Sequence, residues 1–227
     1  MKKTALFFIF IGIAIHAIII GVCKLLNLFE ISGVAQLISG LFYFLMAFLL
    51  NYLYRDIAIK EIKKGGNILK FLAISEKLSL SKSDGQATIA KAEDVFKSWI
   101  DSDFQNWGLN KESKATPETE IEVYEMVKNA NFKDIFTSLS DDLNLLCLTQ
   151  SQIIDFCKKH RNHLRQDGNA TLFLTKKDFG KPATEDNLFV VDVSVGSDGL
   201  RVCVYHFGRA YVWHADYRHR VVVPNLS

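Results

Sequence analysis

Two long apolar segments without any charged residue lie close to the start of the chain, at 4–23 and 31–54. A transmembrane helix needs about 20 consecutive apolar residues. The two segments therefore predict a pair of transmembrane helices, a hairpin within residues 1–56. A cleaved signal peptide is the alternative for the first segment. Such peptides have a shorter apolar stretch that ends in small residues, whereas the branched Val22 precedes Cys23 here.

The basic residues around these segments predict their orientation. Lys2 and Lys3 precede the first segment, and five Lys or Arg residues follow the second between positions 55 and 70. The connecting turn contains Lys24 as its one basic residue. Because basic residues are enriched on the cytoplasmic side of a membrane, both termini are predicted to be cytoplasmic. The predicted location is the inner membrane, crossed twice, with the lipid bilayer as a partner.

The rest of the chain is electrically neutral and has no redox or metal signature. Residues 55–227 contain 24 Lys or Arg and 24 Asp or Glu, which argues against a large nucleic-acid footprint, because such footprints are strongly basic. The four cysteines include no Cys-x-x-Cys pair, so neither a zinc site nor a disulfide framework is indicated. Nucleic acid is therefore not an expected partner, and no cofactor is predicted.

Helical patterns dominate the chain between the membrane segments and about residue 165. Residues 57–91 are predicted to form a juxtamembrane helical connector that includes an amphipathic helix over 68–80. Further helices are predicted over 86–100, from Thr116-Pro117 to about 129, over 132–139, and from 149 to about 165. A hydroxyl residue before proline is a typical helix start, and Thr149 with Gln152 predicts a capping box.

The last third of the chain changes to a two-residue alternation that predicts β-strands. Strands are predicted over 171–175, 188–195, 200–207, 210–213 and 220–223, with a hairpin turn over 196–199. Helices followed by antiparallel strands are typical of α+β domains. The predicted fold class is therefore α+β: the two-helix transmembrane hairpin precedes a soluble domain over 92–227, with several helices and a C-terminal antiparallel β-meander of about five strands. Trp213, Val221 and Val223 are expected in its core.

From about residue 95 to 226 the chain resembles a family of uncharacterised bacterial proteins. The resemblance depends on four segments: DFQNWGL at 103–109, EVYEMV at 122–127, LCLTQSQIIDFCKK at 146–159 and WHADYRHRVVV at 213–223. It implies a single domain over this stretch, attached to the membrane segments. The family has no known activity, so the resemblance implies no site residue.

A small group of potential metal ligands lies near the C-terminus. His214, Asp216 and His219 are close in sequence, and His206 lies on the preceding predicted strand. Zinc accepts imidazole and carboxylate ligands, so these four residues are the metal-site candidates. Their spacing matches no established zinc motif, and a hydrogen-bonded surface turn is the interpretation that we favour.

A basic cluster, Lys158, Lys159, Arg161 and Arg165, occupies the end of the last predicted helix. Cations at a helix C-terminus are stabilised by the helix dipole and need no ligand, but the cluster is also a candidate interaction surface. Nucleic-acid binding would require an aromatic platform beside it, which strand residues such as Tyr211 could form.

The sequence contains no nucleophile elbow, phosphate-binding loop or HExxH motif. No catalytic residue is therefore predicted. The expected function is a membrane-anchored cytoplasmic interaction or regulatory domain, with another protein or a second copy of the chain as its partner. The alternatives are a membrane-tethered nucleic-acid-binding domain and a small hydrolase. The hydrolase would require a pocket that joins Asp192, His206 and His214.

Overall fold

The structure, a computed structural model, describes residues 68–74 and 76–226. The chain divides into two units, Met1–Asp56 and Ile57–Ser227, and every described residue belongs to the second. Both predicted transmembrane helices lie outside the described residues.

None of the helices in the described part of the chain is long and apolar enough to cross a bilayer. Gln150–Lys159 has ten residues, whereas a membrane span requires about 20. This finding corrects the prediction of a two-pass inner-membrane protein, which the structure does not support. The correction applies both to the membrane location and to the transmembrane part of the predicted fold class.

A mixed eight-stranded β-sheet forms the centre of the described fold. Its strands are β1 (Leu69–Phe71), β2 (Leu78–Leu80), β3 (Trp99–Ile100), β4 (Thr119–Met126), β5 (Thr171–Lys176), β6 (Leu188–Gly196), β7 (Gly199–His206) and β8 (Arg220–Pro224). The α-helices within the described residues are α1 (Asp103–Asn106), α2 (Phe132–Thr137) and α3 (Gln150–Lys159). Short 3₁₀ turns lie between several of these elements, among them Ile89–Lys91 and Leu143–Leu146.

The strands are ordered β1–β4–β8–β5–β6–β7–β3 across the sheet, and β2 also pairs with β4. β6 and β7 form the predicted hairpin, but β8 does not continue it. Instead, β8 lies between β4 and β5, antiparallel to the first and parallel to the second. The predicted antiparallel meander is therefore wrong. Val221, Val222 and Val223 are all fully buried, and a strand buried on both faces is typical of the interior of a mixed or parallel sheet.

Segments predicted to be helical form strands instead, so the fold has fewer helices than expected. Residues 68–80, predicted as an amphipathic helix, contain β1 and β2. The helix predicted from Thr116-Pro117 to about 129 contains β4. The segment 86–100 contains only the 3₁₀ turn Ile89–Lys91 and the short β3. The apolar residues of β4 fit either a helical or a two-residue spacing. Pairing with β8 decides for the strand, because it buries Val123 and Tyr124 on opposite faces of the sheet.

Local signals for two helices are confirmed. The Thr149 side chain accepts a hydrogen bond from the Gln152 amide, and the Gln152 side chain accepts one from the Thr149 amide, which is the predicted capping box. α2 begins at Phe132, as predicted, and Asn131 caps it. α3 ends at Lys159, earlier than predicted. Capping depends on residues within one turn of the helix, so these starts can be recognised locally.

The sheet is covered on both faces. The first face packs against α1, α3 and the turn Ile89–Lys91, in a core that includes Ile89, Phe104, Ile153, Phe156, Val191, Val202 and Val222. The second face packs against α2 and the turn Leu143–Leu146, in a core that includes Phe132, Ile135, Phe136, Leu172, Val190, Val221 and Val223. Successive residues of each strand alternate between the two faces, which is why β6 and β8 contribute to both cores.

Strands that precede Ala92 belong to these two cores. Leu78 and Leu80 are buried in the first core, and Leu69 is buried in the second. These leucines lie within 57–91, the stretch predicted to be a helical connector ahead of the domain. Their burial shows that the packed unit of the described residues includes strands on the N-terminal side of Ala92.

The role of β2 in the core can be tested with Leu80→Ala. Leu80 is fully buried, so the truncation should lower the free energy of unfolding by about 2–5 kcal/mol. Leu145→Ala, at a side chain that is 54% exposed, is the control and should change it by less than about 0.5 kcal/mol. Urea denaturation of the full-length chain measures both. Equal stability of the two variants would show that β2 does not contribute to the core.

Candidate interaction surface

A long connection joins β7 to β8, and we call its residues 208–218 the 208–218 loop. Its middle is fixed by two backbone hydrogen bonds: the Trp213 amide donates to the Ala130 carbonyl at 2.9 Å, and the Ala130 amide donates to the Trp213 carbonyl at 3.1 Å. The Ala215 amide donates to Asn129 Oδ1 at 2.8 Å. The strand predicted over 210–213 is therefore reduced to one bridge, at Trp213, and the loop is attached to the segment that enters α2.

Trp213 holds the 208–218 loop against the second core. Its ring centroid lies 5.5 Å from that of Phe132, 6.1 Å from that of Tyr205 and 5.0 Å from that of His219. These neighbours belong to α2, to β7 and to the entrance of β8, so one side chain joins three parts of the fold. Aromatic pairs at such separations contribute about 0.5–1.5 kcal/mol each beyond burial. Trp213 is thus the anchor of the loop.

The 208–218 loop exposes three large side chains. Tyr211, Val212 and Tyr217 retain 49%, 47% and 46% of their accessible surface. The Arg209 guanidinium lies 4.6 Å from the ring centroid of Tyr205 and 5.6 Å from that of Tyr211. A cation within about 6 Å of an aromatic ring is attracted by the ring quadrupole. The contacts therefore hold a guanidinium and an aromatic ring beside each other at the surface.

The loop ends at a residue whose backbone conformation is rare for an L-amino acid. Arg218 has φ 47° and ψ 46°, in the left-handed region, which costs about 1–2 kcal/mol for a residue with a side chain. Its amide donates to the Ala215 carbonyl at 2.9 Å. The next residue, His219, is buried and its Nδ1 accepts a hydrogen bond from the Ala170 amide at 3.0 Å. Arg218 thus turns the chain from the exposed loop into the buried β8.

A row of polar side chains lies on the second face near the loop. Asp192 on β6 faces Cys203 on β7, and both are buried. Burial raises the pKa of Asp192 to about 7, against the opposing effect of Arg201, and burial also raises the pKa of Cys203. Tyr205, the next residue on the same face of β7, contacts Trp213. The Asp192 carboxyl is therefore partly protonated near neutral pH, where it can donate a hydrogen bond as well as accept one.

Two buried hydrogen-bond donors lie where Trp213 meets β8. Trp213 Nε1 and His219 Nε2 have no hydrogen-bond partner among the described residues. Because His219 Nδ1 accepts from the Ala170 amide, the proton of the neutral ring is on Nε2. Burial lowers the pKa of His219, so the ring is neutral at physiological pH. His219 therefore acts as a structural acceptor that links β8 to the start of β5.

The four predicted metal-site residues do not form one cluster. His219 is buried, His206 stacks on Trp107 with ring centroids 4.2 Å apart, and His214 and Asp216 are exposed on the 208–218 loop. Within residues 68–74 and 76–226, no group of three or more His, Cys, Asp or Glu could hold a metal ion. The structure thus assigns a different local role to each histidine of the predicted set.

The three residues of the hydrolase alternative are also separated. Asp192 pairs across the hairpin with Cys203, whereas His206 pairs with Phe189, which belongs to the first core. Asp192 and His206 therefore project from opposite faces of the sheet. His214 lies on the exposed loop. These three side chains do not meet in one pocket.

Three cations of the predicted basic cluster form ion pairs. Lys158 lies 2.9 Å from Asp94, Lys159 lies 3.6 Å from Asp155, and Arg165 lies 3.4 Å from Glu125 while also pairing with Asp167. Arg161 is exposed. Carboxylates thus neutralise much of the cluster locally, and its use as an interaction surface stays a prediction.

Comparison with known proteins identifies no relative: no protein-family model, no curated protein and no solved structure matches the chain. The resemblance to uncharacterised bacterial proteins therefore stays a prediction.

The sequence of the loop contains a pattern that predicts a strand, although the loop forms only one bridge. Tyr211 and Trp213 are two residues apart, a spacing that imitates a strand. The structure gives them different burial instead: Trp213 packs against the second core, whereas Tyr211 is exposed and its ring contacts that of Trp213 edge to face, with centroids 5.0 Å apart. A connection rich in tyrosine and arginine is typical of binding surfaces, and that composition was the signal available.

The anchoring role of Trp213 can be tested by truncation. Trp213→Ala should lower the free energy of unfolding by about 3 kcal/mol, because it removes the ring that joins α2, β7 and the loop. Val212→Ala truncates an exposed side chain next to Trp213 in the same loop and should change it by less than about 0.5 kcal/mol. Thermal unfolding of the full-length chain compares the two. Equal midpoints would contradict the anchor.

The pH dependence of stability can be tested with Asp192→Asn. The folded pKa of Asp192 is raised from 3.8 to about 7. Between these values the folded state holds a proton that the unfolded state has released, so stability falls as the pH rises through this window. Between pH 4 and pH 8, the free energy of unfolding of the wild-type chain should fall by about 3–4 kcal/mol more than that of Asp192→Asn.

Urea denaturation at several pH values between these limits measures this difference. Asp141→Asn, which removes an exposed carboxylate, is the matched control and should follow the wild-type curve. Parallel curves for wild type and Asp192→Asn would show that the pKa of Asp192 is the same in the folded and unfolded states, which would contradict the raised value.

Proposed function

We propose that the chain is a protein-interaction module and that the 208–218 loop is its binding surface. The observation that carries the proposal is the combination of a fixed backbone with exposed aromatic side chains. Tyr211 and Tyr217 are about half exposed on a loop that Trp213 anchors to the second core. A side chain on a mobile loop loses conformational entropy when it binds a partner. A side chain on a loop that is already fixed loses less, so its binding costs less free energy.

The side chains of the loop are those that contribute most to protein interfaces. Tyr, Trp and Arg are enriched among the residues whose truncation weakens binding most. Tyr211, Tyr217 and Arg209 are of these types and exposed. Tyrosine has few rotatable bonds, so its immobilisation on binding costs less entropy than that of a long flexible chain. The Arg209 stack on Tyr205 and Tyr211 restricts the guanidinium in the same way.

The charges of the loop indicate the kind of partner. Arg209 and Arg218 are exposed cations, and Asp216 is the exposed anion. A complementary surface would have carboxylates next to an apolar pocket that receives Tyr211 or Tyr217, because opposite charges at the rim favour association. Such a surface belongs to a folded protein or to an acidic segment that contains apolar residues.

A single-stranded nucleic acid is the second candidate, supported by the Arg209 stack on Tyr205 and Tyr211. Nucleic-acid platforms combine stacking rings with cations in this way. The loop has two arginines and an aspartate, however, and tracking a phosphate backbone requires more positive charge. We therefore favour the protein partner.

Site-specific photo-crosslinking in the native host can test the proposal. A photoreactive amino acid replaces Tyr211 in the full-length chain, and the same amino acid at Leu145, which is 54% exposed on the turn Leu143–Leu146, serves as the control. A protein that is captured at Tyr211 and not at Leu145 is then identified and purified. Its affinity is measured for the wild-type chain and for Tyr211→Ala, Tyr217→Ala and Leu145→Ala.

Either tyrosine truncation should weaken binding by about tenfold or more, the usual effect of removing a central interface residue. Leu145→Ala should bind as the wild type does and unfold at the wild-type temperature. The tyrosine variants lose ring contacts with Trp213 or His219 and should still be fully folded at the temperature of the binding measurement. Capture of nucleic acid would favour the second candidate, and capture of the chain itself would make a second copy the partner. Equal capture at both positions, or unchanged affinity of the tyrosine variants, would refute the loop as the binding surface.

A further inference from the structure

A groove of about 760 Å³ lies among residues outside the 208–218 loop. One wall is the segment 111–114, the other is the β5–β6 connection, and Gln150 at the start of α3 also lines it. Five lysines line the groove: Lys111, Lys114, Lys176, Lys177 and Lys181. Three carboxylates, Glu112, Asp178 and Asp186, line it as well. Its volume is within the range of small-molecule sites, about 300–1,000 Å³, and its lining is net positive.

Lys176 is the unusual member of this set because it is 8% exposed. A buried ammonium group normally has a carboxylate partner, since desolvation of an unpaired charge is costly. Among the described residues, Lys176 forms no ion pair. Its Nζ donates instead to two neutral oxygens, Asn144 Oδ1 and the Lys181 carbonyl, each at 3.0 Å. An ammonium has three donors, so one donor remains for a ligand in the groove.

The position of Lys176 is fixed by its surroundings. Its Nζ lies 5.2 Å from the ring centroid of Phe179. Asn144, which accepts from Lys176, donates through Nδ2 to Asp142 Oδ1 at 2.9 Å. The Asn144 amide therefore lies between the Lys176 ammonium and the Asp142 carboxylate. Neutral oxygens hold the ammonium in position, and no carboxylate among the described residues neutralises it by direct contact. This arrangement holds a cation in place for an anionic ligand.

Both walls of the groove are also held in place. The Gln150 side chain donates to the carbonyl groups of Leu109 and Lys111, which fixes the first wall to α3. The Asn187 side chain accepts from the Asp178 amide at 2.9 Å and donates to the Asp178 and Pro182 carbonyls at 2.9 and 3.0 Å. Gln150 and Asn187 are buried polar residues. Their hydrogen bonds shape the groove without a ligand, so binding needs little reorganisation.

We propose that this groove binds a small phosphorylated molecule, with Lys176 as its fixed contact and the exposed lysines as its outer contacts. A phosphate group presents several strong acceptor oxygens to compact ammonium donors, and lysine is a common phosphate-binding residue. The Coulomb attraction of several lysines favours a multiply charged anion over a single carboxylate. The N-terminal end of α3 lies at the groove and adds the positive end of a helix dipole.

Titration calorimetry of the full-length chain with inorganic pyrophosphate can test the site. Ionic strength is held constant with sodium chloride, and acetate is the carboxylate comparison. Lys111→Gln with Lys177→Gln removes two exposed cations from the groove, and Lys128→Gln with Lys133→Gln removes two exposed cations elsewhere. Both double variants change the net charge equally. Lys176→Met removes the buried ammonium and keeps its aliphatic chain.

Pyrophosphate should bind with saturation and more tightly than acetate. The groove double variant and Lys176→Met should each weaken binding by about tenfold or more, because charge-assisted hydrogen bonds are lost, while the control double variant binds as the wild type does. If Lys176→Met fails to fold, the groove double variant decides. Absence of saturable binding, equal loss in both double variants, or equal binding of acetate and pyrophosphate would overturn the site.

A second arm distinguishes a soluble phosphate from a lipid headgroup. Phosphatidylcholine vesicles, with and without phosphatidic acid, are sedimented with the same variants. Binding of pyrophosphate without binding to phosphatidic acid vesicles identifies a soluble ligand. Vesicle binding that pyrophosphate displaces and that the groove double variant loses identifies a phosphate presented by a lipid.

Discussion

The insertion of β8 between β4 and β5 is the interaction on which the rest of the described fold depends. β4 carries β1 and β2 at one edge, and β5 leads through β6 to the hairpin at the other. Val222 pairs with Val123 on one side and with Phe173 on the other, so one strand of five residues joins both halves of the sheet. Without β8, neither half would have a partner along these edges, and unpaired edge groups are unfavourable when buried.

The same insertion creates the exposed 208–218 loop. β8 lies three strands away from β7 in the sheet, with β6 and β5 between them. The connection must therefore pass over the second face, where Trp213 fills the space between Phe132 and His219. The left-handed conformation of Arg218 lies at the point where the chain enters the sheet. The proposed binding surface is thus a consequence of the sheet topology.

Near each proposed site, a polar group is buried in an apolar framework. Asp192 lies in the middle of β6 and Lys176 at the end of β5, two strands whose other residues are largely apolar and buried. Burial in such places removes water from the charged form, so these groups interact strongly with whatever neighbours are present. Asp192 and Cys203 lie on the same face of the sheet as Tyr205, which contacts Trp213. Lys176 lies at the end of β5 that does not pair with β8. The loop and the groove therefore use different parts of the same sheet.

Local features were determined by the sequence alone, because each depends on neighbouring residues. The capping box at Thr149, the start of α2 and the hairpin turn between β6 and β7 are examples. The class of the segments before residue 130 was decided by tertiary pairing, since their apolar spacing fits a helix or a strand equally well. The order of the strands in the sheet was also decided by tertiary structure, and so was the burial of Trp213 beside the exposed Tyr211. A strand carries no local mark of its neighbours, and only the position of β8 determines that the chain before it must cross the second face as a loop.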